Sequence, residues 1–407
     1  MAKVQSKSKN KLFSRYGVLI LVGVICVALV AVSAIGLLSR GAGQEEPPDN
    51  GNIMQPPTPD PVSTPDPVST PDPEPESTPE PTPEPTPEPP AYDGPINPLS
   101  GMPMDEEKTR NRPLAIVISN EPDALPMNGV SSADILYEYV AYAGGSTRML
   151  GVFQEFKDVR RVGSIRSARH NIVQIALSYD ALFLHGGHSH LARAEINNTN
   201  ITNFNGVEGP RADLFFRDGD RIPGRRVSSP HNLVTSSERV AERLPRYNVR
   251  LEHNEGYDQG LHFSDNATPV DGGAASEVSV SYSSSRRSSF VYNEAGNFYH
   301  MTFHFGSTRR EVIDINNNQK PEFANILIIK TSVSRIPGDP DLLLEIVTVG
   351  NGEGYFVHGG KYTEIKWSRA NKTAPYVYTN LDGTPLEFGR GATLISIMPT
   401  TQSATFS

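Results

Sequence analysis

The feature that most constrains this chain is a run of prolines: 18 of the 44 residues between Pro47 and Pro90 are proline. Proline fixes φ and has no backbone N–H, so neither an α-helix nor a β-sheet can form at this density. The interval Gly41 to Asp93 also holds 12 acidic residues and no Lys or Arg, and the like charges extend it further. We therefore predict a disordered linker over residues 39–94, which spans on the order of 100 Å in a polyproline II conformation.

An uncharged apolar stretch precedes the linker. Gly17 to Leu38 is 22 residues long, and a helix of that length measures about 33 Å, enough to cross a hydrocarbon core of about 30 Å. Residues 1–16 carry five Lys or Arg and no acid, which places this end in the cytoplasm. We predict a cytoplasmic basic tail over 1–16, an uncleaved transmembrane signal anchor over 17–38 and an extracellular remainder. The alternative is a cleaved signal peptide, whose apolar region is normally about 7–15 residues long.

Composition excludes several classes of protein. The single cysteine, Cys26, rules out a disulfide framework and a cysteine-based metal cluster. The formal net charge is −9, but 12 acids lie between Gly41 and Asp93 and six of the basic residues precede that interval, so residues 94–407 hold 31 basic and 34 acidic residues, a net charge of −3. This near-neutral body lacks the basic excess of a nucleic-acid binder. There is no Gly-x-Ser-x-Gly elbow and no Walker-type phosphate loop, and no cofactor is predicted.

Globular character begins near Asn97, and the hydrophobic pattern changes along the body. The first part mixes apolar strands, predicted over 113–120, 135–142, 149–156 and 179–185, with a helix over 167–179. A second helix is predicted from the capping box at 235–238 through Leu244. After about residue 275 only short strands separated by Gly and Asn turns follow. We predict an α/β (α+β) amino-terminal domain over residues 95–255 and a β-rich carboxy-terminal domain over 256–407. The sequence leaves open whether the second domain folds alone or completes the sheet of the first.

The most informative run for function is Gly163-Ser164-Ile165-Arg166-Ser167-Ala168-Arg169, which leads into the predicted helix. Helix N-termini favour anions, and arginines bind phosphate or carboxylate groups bidentately. Arg148, after a glycine turn, would join Arg166 and Arg169. The alternative is that these arginines pair with protein carboxylates and only hold the fold. The acids available for such pairs are Asp134, Glu138 and Asp180.

Two histidines are candidate acid/base groups. His185 directly follows a predicted strand, and His231 precedes a predicted helix in the run Ser229-Pro230-His231-Asn232. An unperturbed imidazole titrates near pH 6.5, which suits proton transfer. His188 and His190 follow His185 closely, but they need a tight loop to share one ion, so no metal site is predicted.

Several of these runs together resemble the YerB-like proteins, a family of Gram-positive envelope lipoproteins of unknown function. The runs that carry the resemblance are Asn97-Pro98-Leu99-Ser100-Gly101, Arg112-Pro113, Ala133-Asp134-Ile135, Tyr137-Glu138, Gly145-Ser146-Thr147-Arg148, the run 163–169, Tyr179-Asp180-Ala181, Pro230-His231-Asn232-Leu233, Gly352-Glu353-Gly354-Tyr355 and Lys366-Trp367-Ser368. The resemblance covers most of 95–400 and implies two joined domains, α/β and then β-rich, without an established activity. Family members usually begin with a lipobox, whereas this chain carries an apolar span and an acidic stalk.

Two hypotheses for function follow. The first is a non-enzymatic, membrane-anchored extracellular module that recognises an anionic cell-wall or lipid-linked ligand. Its predicted ligand-binding residues are Arg148, Arg166, Arg169, Asp134, Glu138, His231 and Asn232, and its predicted partners are the membrane, through residues 17–38, and a wall polymer or membrane protein. The second is an enzyme that acts on phosphate-containing cell-wall glycopolymers, with an arginine clamp and His185 or His231 as acid/base.

Overall fold

The computed structural model of the chain describes residues 92–407. The predicted tail 1–16, the predicted transmembrane helix 17–38 and nearly all of the predicted linker 39–94 lie outside the described residues. Within residues 92–407, no helix is both long enough and apolar enough to cross a membrane.

Among residues 92–407 helices are few and short, and strands dominate. The helices are α1 (Glu106–Thr109), α2 (His170–Ser178), α3 (His190–Thr199) and α4 (Ser237–Arg243). The strands up to residue 255 are β1 (Leu114–Ile118), β2 (Ile135–Val140), β3 (Thr147–Phe153), β4 (Val162–Gly163), β5 (Leu182–His185), β6 (Asn203–Asn205), β7 (Phe216–Arg217) and β8 (Leu233–Thr235). The later strands are β9 (His262–Phe263), β10 (Gly273–Ala274), β11 (Glu277–Ser281), β12 (Arg286–Asn293), β13 (Phe298–Phe305), β14 (Thr308–Glu311), β15 (Glu322–Phe323), β16 (Asn325–Thr331), β17 (Val333–Arg335), β18 (Leu344–Ile346), β19 (Gly350–His358), β20 (Lys361–Arg369), β21 (Val377–Asn380), β22 (Glu387–Phe388), β23 (Thr393–Pro399) and β24 (Ala404–Phe406).

One mixed sheet of 11 strands runs through both predicted domains, in the order β10-β20-β19-β16-β23-β2-β3-β1-β5-β6, with β21 on β20. The join is the pair β2–β23, which is parallel and sets Tyr137 opposite Ile395 and Glu138 opposite Ser396. On its other side β23 pairs in parallel with β16. The carboxy-terminal half therefore completes the sheet of the amino-terminal half, the alternative that the sequence left open.

The second sheet is antiparallel and has six strands, ordered β14-β13-β12-β11-β24, with β15 on β13. It shares one hydrophobic core with the central sheet, in which Phe290 and Met301 join Leu136 and Ile328. On the opposite face α2 lies in a separate core with Val117 and Tyr137. Successive residues of β1 alternate between the two cores, as the two-residue period of a strand requires. Because both faces are covered, β1 is apolar throughout, Leu-Ala-Ile-Val-Ile.

The predicted fold class of the described region is confirmed: an α/β (α+β) part is followed by a β-rich part. Several predicted element ends were wrong by one to three residues, and two of them bear on the candidate site. The strand predicted over 135–142 ends at Val140, so that Tyr142 lies in the turn, and the helix predicted over 167–179 begins at His170. Arg169 is the N-cap of α2, with extended backbone at φ −117° and ψ 148°.

Candidate functional site

Two predicted arginines, Arg148 and Arg169, contact one tyrosine that was not predicted from the sequence, and the charge of the third, Arg166, also acts on it. The Arg169 Cζ atom lies 4.4 Å from the ring centroid of Tyr142, and the Arg148 Cζ atom lies 5.1 Å from it. The Arg148 Nη2 also donates to the Tyr142 hydroxyl at 3.0 Å. Both guanidiniums are attracted to the electron-rich ring face. We call Arg148, Arg166, Arg169 and Tyr142 the arginine cluster.

The fold fixes the backbone on which the cluster stands. The Arg166 N–H donates to the Val117 carbonyl in β1 at 3.0 Å, and the Arg166 carbonyl accepts from the Gly186 N–H at 2.9 Å. The first turn of α2 is held by the carboxy-terminal half, because the Asn171 Nδ2 donates to the Leu344 carbonyl at 2.9 Å. The cluster therefore rests on a rigid frame drawn from both halves of the chain.

The three arginines have no carboxylate partner within 4.0 Å among residues 92–407. Apart from the bond to the Tyr142 hydroxyl, the side chains of Arg148 and Arg169 donate to backbone carbonyls: Arg148 Nη1 donates to Ser167 at 2.6 Å, and Arg169 Nη1 donates to Ala168 at 2.9 Å. In the described part of the chain, the Nε atoms of Arg166 and Arg169 are buried without a hydrogen-bond partner. Arg148 and Arg169 are only 2% and 5% exposed. Such a group of desolvated cations is costly unless an anion compensates it.

The acids considered as internal partners are engaged elsewhere. The Asp134 carboxylate accepts from the Asn97 Nδ2 and the Gln154 N–H, at 2.8 and 2.7 Å. Asp180 pairs with Arg112 and Arg250, at 3.4 and 2.7 Å. The interpretation that the arginines pair with these acids was therefore wrong.

Glu138 likewise does not belong to the cluster. Its carboxylate is fully buried and pairs with Arg286 of β12 at 2.7 Å. It also accepts from the Thr147 hydroxyl at 2.7 Å and the Ser288 hydroxyl at 2.6 Å. The predicted ligand-binding residues Asp134 and Glu138 thus hold the frame, each with its carboxylate occupied by protein donors.

The charges in the cluster perturb one another. Burial, and then the positive charge of Arg148, lowers the pKa of Arg169 to about 10. The pKa of Arg166 is lowered by the same two causes in the same order. Burial opposes ionisation of the Tyr142 phenol, yet the fields of Arg148 and Arg169 outweigh it and lower its pKa. These shifts report a concentrated positive potential, which an anion would relieve.

His231 lies within the field of this cluster. Burial, and then the charge of Arg166, lowers the pKa of His231, so its imidazole is neutral at pH 7. Its position is set through the backbone, because its carbonyl accepts from the Arg221 Nε at 2.7 Å. Its Nδ1 is buried without a hydrogen-bond partner among the described residues. The adjacent Asn232 side chain accepts from the Arg217 Nη1 at 3.0 Å and so stabilises the loop that carries His231.

His185 is enclosed in the amino-terminal half. It is fully buried, its Nδ1 donates to the Gly187 carbonyl at 2.6 Å, and its Nε2 lies 3.3 Å from the Asn203 Oδ1. Its ring stacks on Phe183 at a centroid distance of 5.1 Å. Burial lowers its pKa to about 4. Both ring nitrogens are occupied and neither contacts the arginine cluster, an arrangement that favours a structural role.

The neighbouring histidines point to separate acids. His188 Nε2 lies 3.0 Å from the Glu208 carboxylate, and His190 Nε2 lies 3.1 Å from that of Asp339. Among residues 92–407 no group of three or more His, Cys, Asp or Glu is arranged to hold a metal ion. The chemistry available at the candidate site is therefore that of guanidinium, phenol and one neutral imidazole.

Sequence analysis missed Tyr142, although a signal for it exists. An aromatic residue at a strand end, two positions before Gly144-Gly145, stands where a turn can present its ring beside the next strand. It also missed Arg286, whose partner Glu138 lies 148 positions earlier in the chain.

Comparison with known proteins defines the class to which this fold and site belong. Residues 99–250 match the family described as "Protein of unknown function (DUF3048) N-terminal domain", and residues 278–395 match its C-terminal domain. The chain belongs to this family of unknown function, which confirms the YerB-like resemblance. It is similar to the Bacillus subtilis (strain 168) protein named "Putative lipoprotein YerB", with 28% identity over 313 residues, 76% of this chain and 88% of the relative. The crystal structure of YerB from Bacillus subtilis matches with a TM-score of 0.63 and 27% identity, over 76% of this chain and 99% of that chain.

Proposed function

We propose that this protein is a membrane-anchored envelope module that binds an anionic group of a cell-wall polymer or a lipid-linked precursor through Arg148, Arg166 and Arg169. The observation that carries the proposal is that Arg148 and Arg169 contact the Tyr142 ring and the charge of Arg166 also acts on it, while no carboxylate among the described residues lies within 4.0 Å of the three guanidiniums. Arginine suits this role because its planar fork matches phosphate and carboxylate oxygens.

The buried Nε atoms of Arg166 and Arg169 support the same interpretation. Each retains an unused N–H within the described part of the chain, and a buried donor without an acceptor costs about 1–3 kcal/mol. An anion oxygen beside Arg166, which is the least buried of the three arginines, would supply acceptors and compensate the charge. Asp134, Glu138 and Asn232 then act indirectly, by fixing the strands and the loop around the cluster.

The proposed location rests on the amino-terminal sequence. Residues 17–38 would form a single span with the body outside the cell, and the linker 39–94 would hold the body away from the membrane. The name of the Bacillus subtilis relative, a lipoprotein, supports attachment to a membrane. Protease treatment of intact cells tests this topology: loss of the body with retention of the tail supports it, and full protection of the body contradicts it.

Binding to purified wall fragments tests the ligand. We expect the full chain to sediment with fragments that retain their phosphate-containing polymer and not with fragments stripped of it. If lipid-linked precursor is the ligand instead, vesicles that contain it will bind and intact fragments will not.

The decisive variant is Arg166→Ala/Arg169→Ala, with Arg309→Ala/Arg310→Ala on the exposed strand β14 as the charge-matched control. Loss of two charge-assisted hydrogen bonds, at roughly 1.5 kcal/mol each, predicts about 100-fold weaker binding. The control should bind as the wild type does. Unchanged affinity of the site variant would remove the arginine cluster from the proposal.

A second candidate function is an enzyme that acts on phosphate-containing wall glycopolymers. The observation that favours it is His231, a neutral imidazole near Arg166 with an unengaged Nδ1 among the described residues. It would act as general base while the arginines stabilise charge on the phosphate. Turnover of a lipid-linked pyrophosphate that is lost in His231→Ala but not in His188→Ala would support this function. Binding without turnover would leave the module as proposed first.

A further inference from the structure

We propose that a cavity between the two halves of the chain binds a small ligand in which an ammonium group adjoins a carbonyl or carboxylate oxygen, as in a free α-amino acid or the amino terminus of a peptide. The cavity has a volume of about 240 Å³. It lies between the turn at residues 144–147 and the start of β12, and Asn120, Glu121, Arg286 and Phe305 line it. No member of the arginine cluster lines this cavity, although the charge of Glu121 reaches Arg166.

A buried polar network around the Glu138 carboxylate forms the floor of the cavity. The Glu138 Oε1 accepts from Arg286 Nη2, Thr147 Oγ1 and Asn120 Nδ2, at 2.7, 2.7 and 2.9 Å. The Thr147 Oγ1 in turn accepts from the Arg286 Nε and the Asn120 Nδ2, at 2.8 and 2.9 Å. Glu138 thereby compensates the charge of Arg286. The Thr147 hydroxyl donates one hydrogen bond and accepts two, so it has no further capacity to bind a ligand.

Two atoms of this network remain free for a ligand. The Asn120 Oδ1 and the Arg286 Nη1 are buried and have no hydrogen-bond partner among residues 92–407. Asn120 is 1% exposed and Arg286 is 4% exposed, and both line the cavity. The amide of Asn120 cannot be turned over, because its oxygen would then face the Glu138 carboxylate. The wall of the cavity therefore holds one acceptor and one donor without partners, which a donor and an acceptor on the same small molecule would satisfy.

The Glu121 carboxylate favours a positively charged donor group on the ligand. Its carboxylate lines the cavity and accepts from the Ser146 hydroxyl. No Lys, Arg or His nitrogen lies within 4.0 Å of it in the described part of the chain. Arg286 is already paired with Glu138, and Arg166 acts on Glu121 only from beyond 4.0 Å. Within the cavity lining the Glu121 carboxylate therefore has no cation partner and favours an ammonium donor over a neutral one.

The cavity is rigid and small, which limits the ligand. The Arg286 guanidinium lies between the rings of Phe303 and Phe305, with its Cζ 4.4 and 4.3 Å from their centroids. The volume of the cavity, about 240 Å³, is below the roughly 300–1,000 Å³ typical of sites for drug-sized molecules. An amino acid with a short side chain fits these limits, with the side chain against Phe305.

Calorimetric titration of the full chain with four probes tests the ligand class. Alanine carries both required groups, alanine amide mimics a peptide amino terminus, and propionate and ethylamine each lack one group. We expect alanine or alanine amide to bind at least tenfold more tightly than propionate and ethylamine. Tighter binding of alanine would identify the ligand as a free amino acid, and tighter binding of alanine amide would identify it as a peptide amino terminus. Absence of binding, or equal affinity for propionate or ethylamine, overturns the proposal.

Two variants with matched controls locate the binding. Glu121→Gln removes the charge and should weaken binding at least tenfold, about 1.4 kcal/mol, while Asp123→Asn, on the same exposed loop but outside the cavity, should not. Ser285→Trp should block the cavity mouth, while Ser284→Trp, one position away and outside the lining, should not. Melting temperatures close to that of the wild type show that each variant folds. Wild-type affinity in either Glu121→Gln or Ser285→Trp overturns the site.

Discussion

Replacing Arg286 with Met removes the cation that neutralises Glu138 in the core and leaves the carboxylate there alone. The two groups are 2.7 Å apart, and their side chains are 4% and 0% exposed, so in the wild type the carboxylate is neutralised by the guanidinium and not by water. Breaking a buried pair in this way costs about 3–5 kcal/mol. The lost contacts of the guanidinium with Phe303 and Phe305 add to this cost, whereas Met keeps an apolar side chain of similar length. We expect Arg286→Met to lower the free energy of unfolding by about 3–5 kcal/mol.

Equilibrium unfolding in urea, followed by fluorescence of the single tryptophan, measures this loss, because Trp367 is 2% exposed in the central sheet. The double variant Glu138→Gln/Arg286→Met replaces the unpaired charge with a neutral amide that still reaches Thr147 and Ser288. It should recover at least half of the loss, a coupling that a double-mutant cycle isolates. A loss below about 1 kcal/mol in Arg286→Met, or losses that simply add, would refute the reasoning.

Three further predictions follow from the fold. Trp367 fluorescence and far-UV circular dichroism should report one coincident transition, because β23 pairs with β2 and β16 in a single sheet; two separated transitions would contradict this. The free energy of unfolding should fall by up to about 3 kcal/mol as the pH drops from 6.5 to 4, because His185 has a pKa of about 4 in the native protein and near 6.5 in the unfolded chain. His185→Gln should flatten that part of the plot of unfolding free energy against pH. An unchanged slope in this variant would exclude His185 as its cause. Gly145→Ala should destabilise the protein by about 1 kcal/mol more than Gly144→Ala, since both have positive φ but only the Cβ at Gly145 would collide with Ser283; equal thermal shifts would contradict this.

The local elements were predictable because their signals are local. The strand predicted over 113–120 is observed as Leu114–Ile118. A short aliphatic run between turn residues is typical of a strand that is buried on both faces, and the pattern is visible without knowing the neighbouring strands. The glycine turn before Arg148 joins β2 to β3 as expected. The β-rich character after residue 275 was equally visible in the spacing of its turns.

The long-range pairings were not predictable, and they decide the site. Nothing in the run Ile135–Tyr142 indicates that β2 pairs with β23, about 250 residues later. Glu138 was predicted to bind the ligand because its partner, Arg286, belongs to the other half of the chain and could not be inferred from the nearby sequence. The arginines were found from the run 163–169 alone, but the ring they share, Tyr142, required the fold.

The central claim is that the arginine cluster binds an anion, and the side-chain Nε–H resonances of its arginines test it most directly. In a ¹⁵N-labelled full chain titrated with inorganic pyrophosphate, we expect the Nε–H signals of Arg166 and Arg169 to shift and saturate, because their buried donors gain an acceptor. The signals of Arg309 and Arg310, on the exposed strand β14, should stay in place. Arg166 and Arg169 signals that do not move, or that move no more than those of Arg309 and Arg310, would contradict the account.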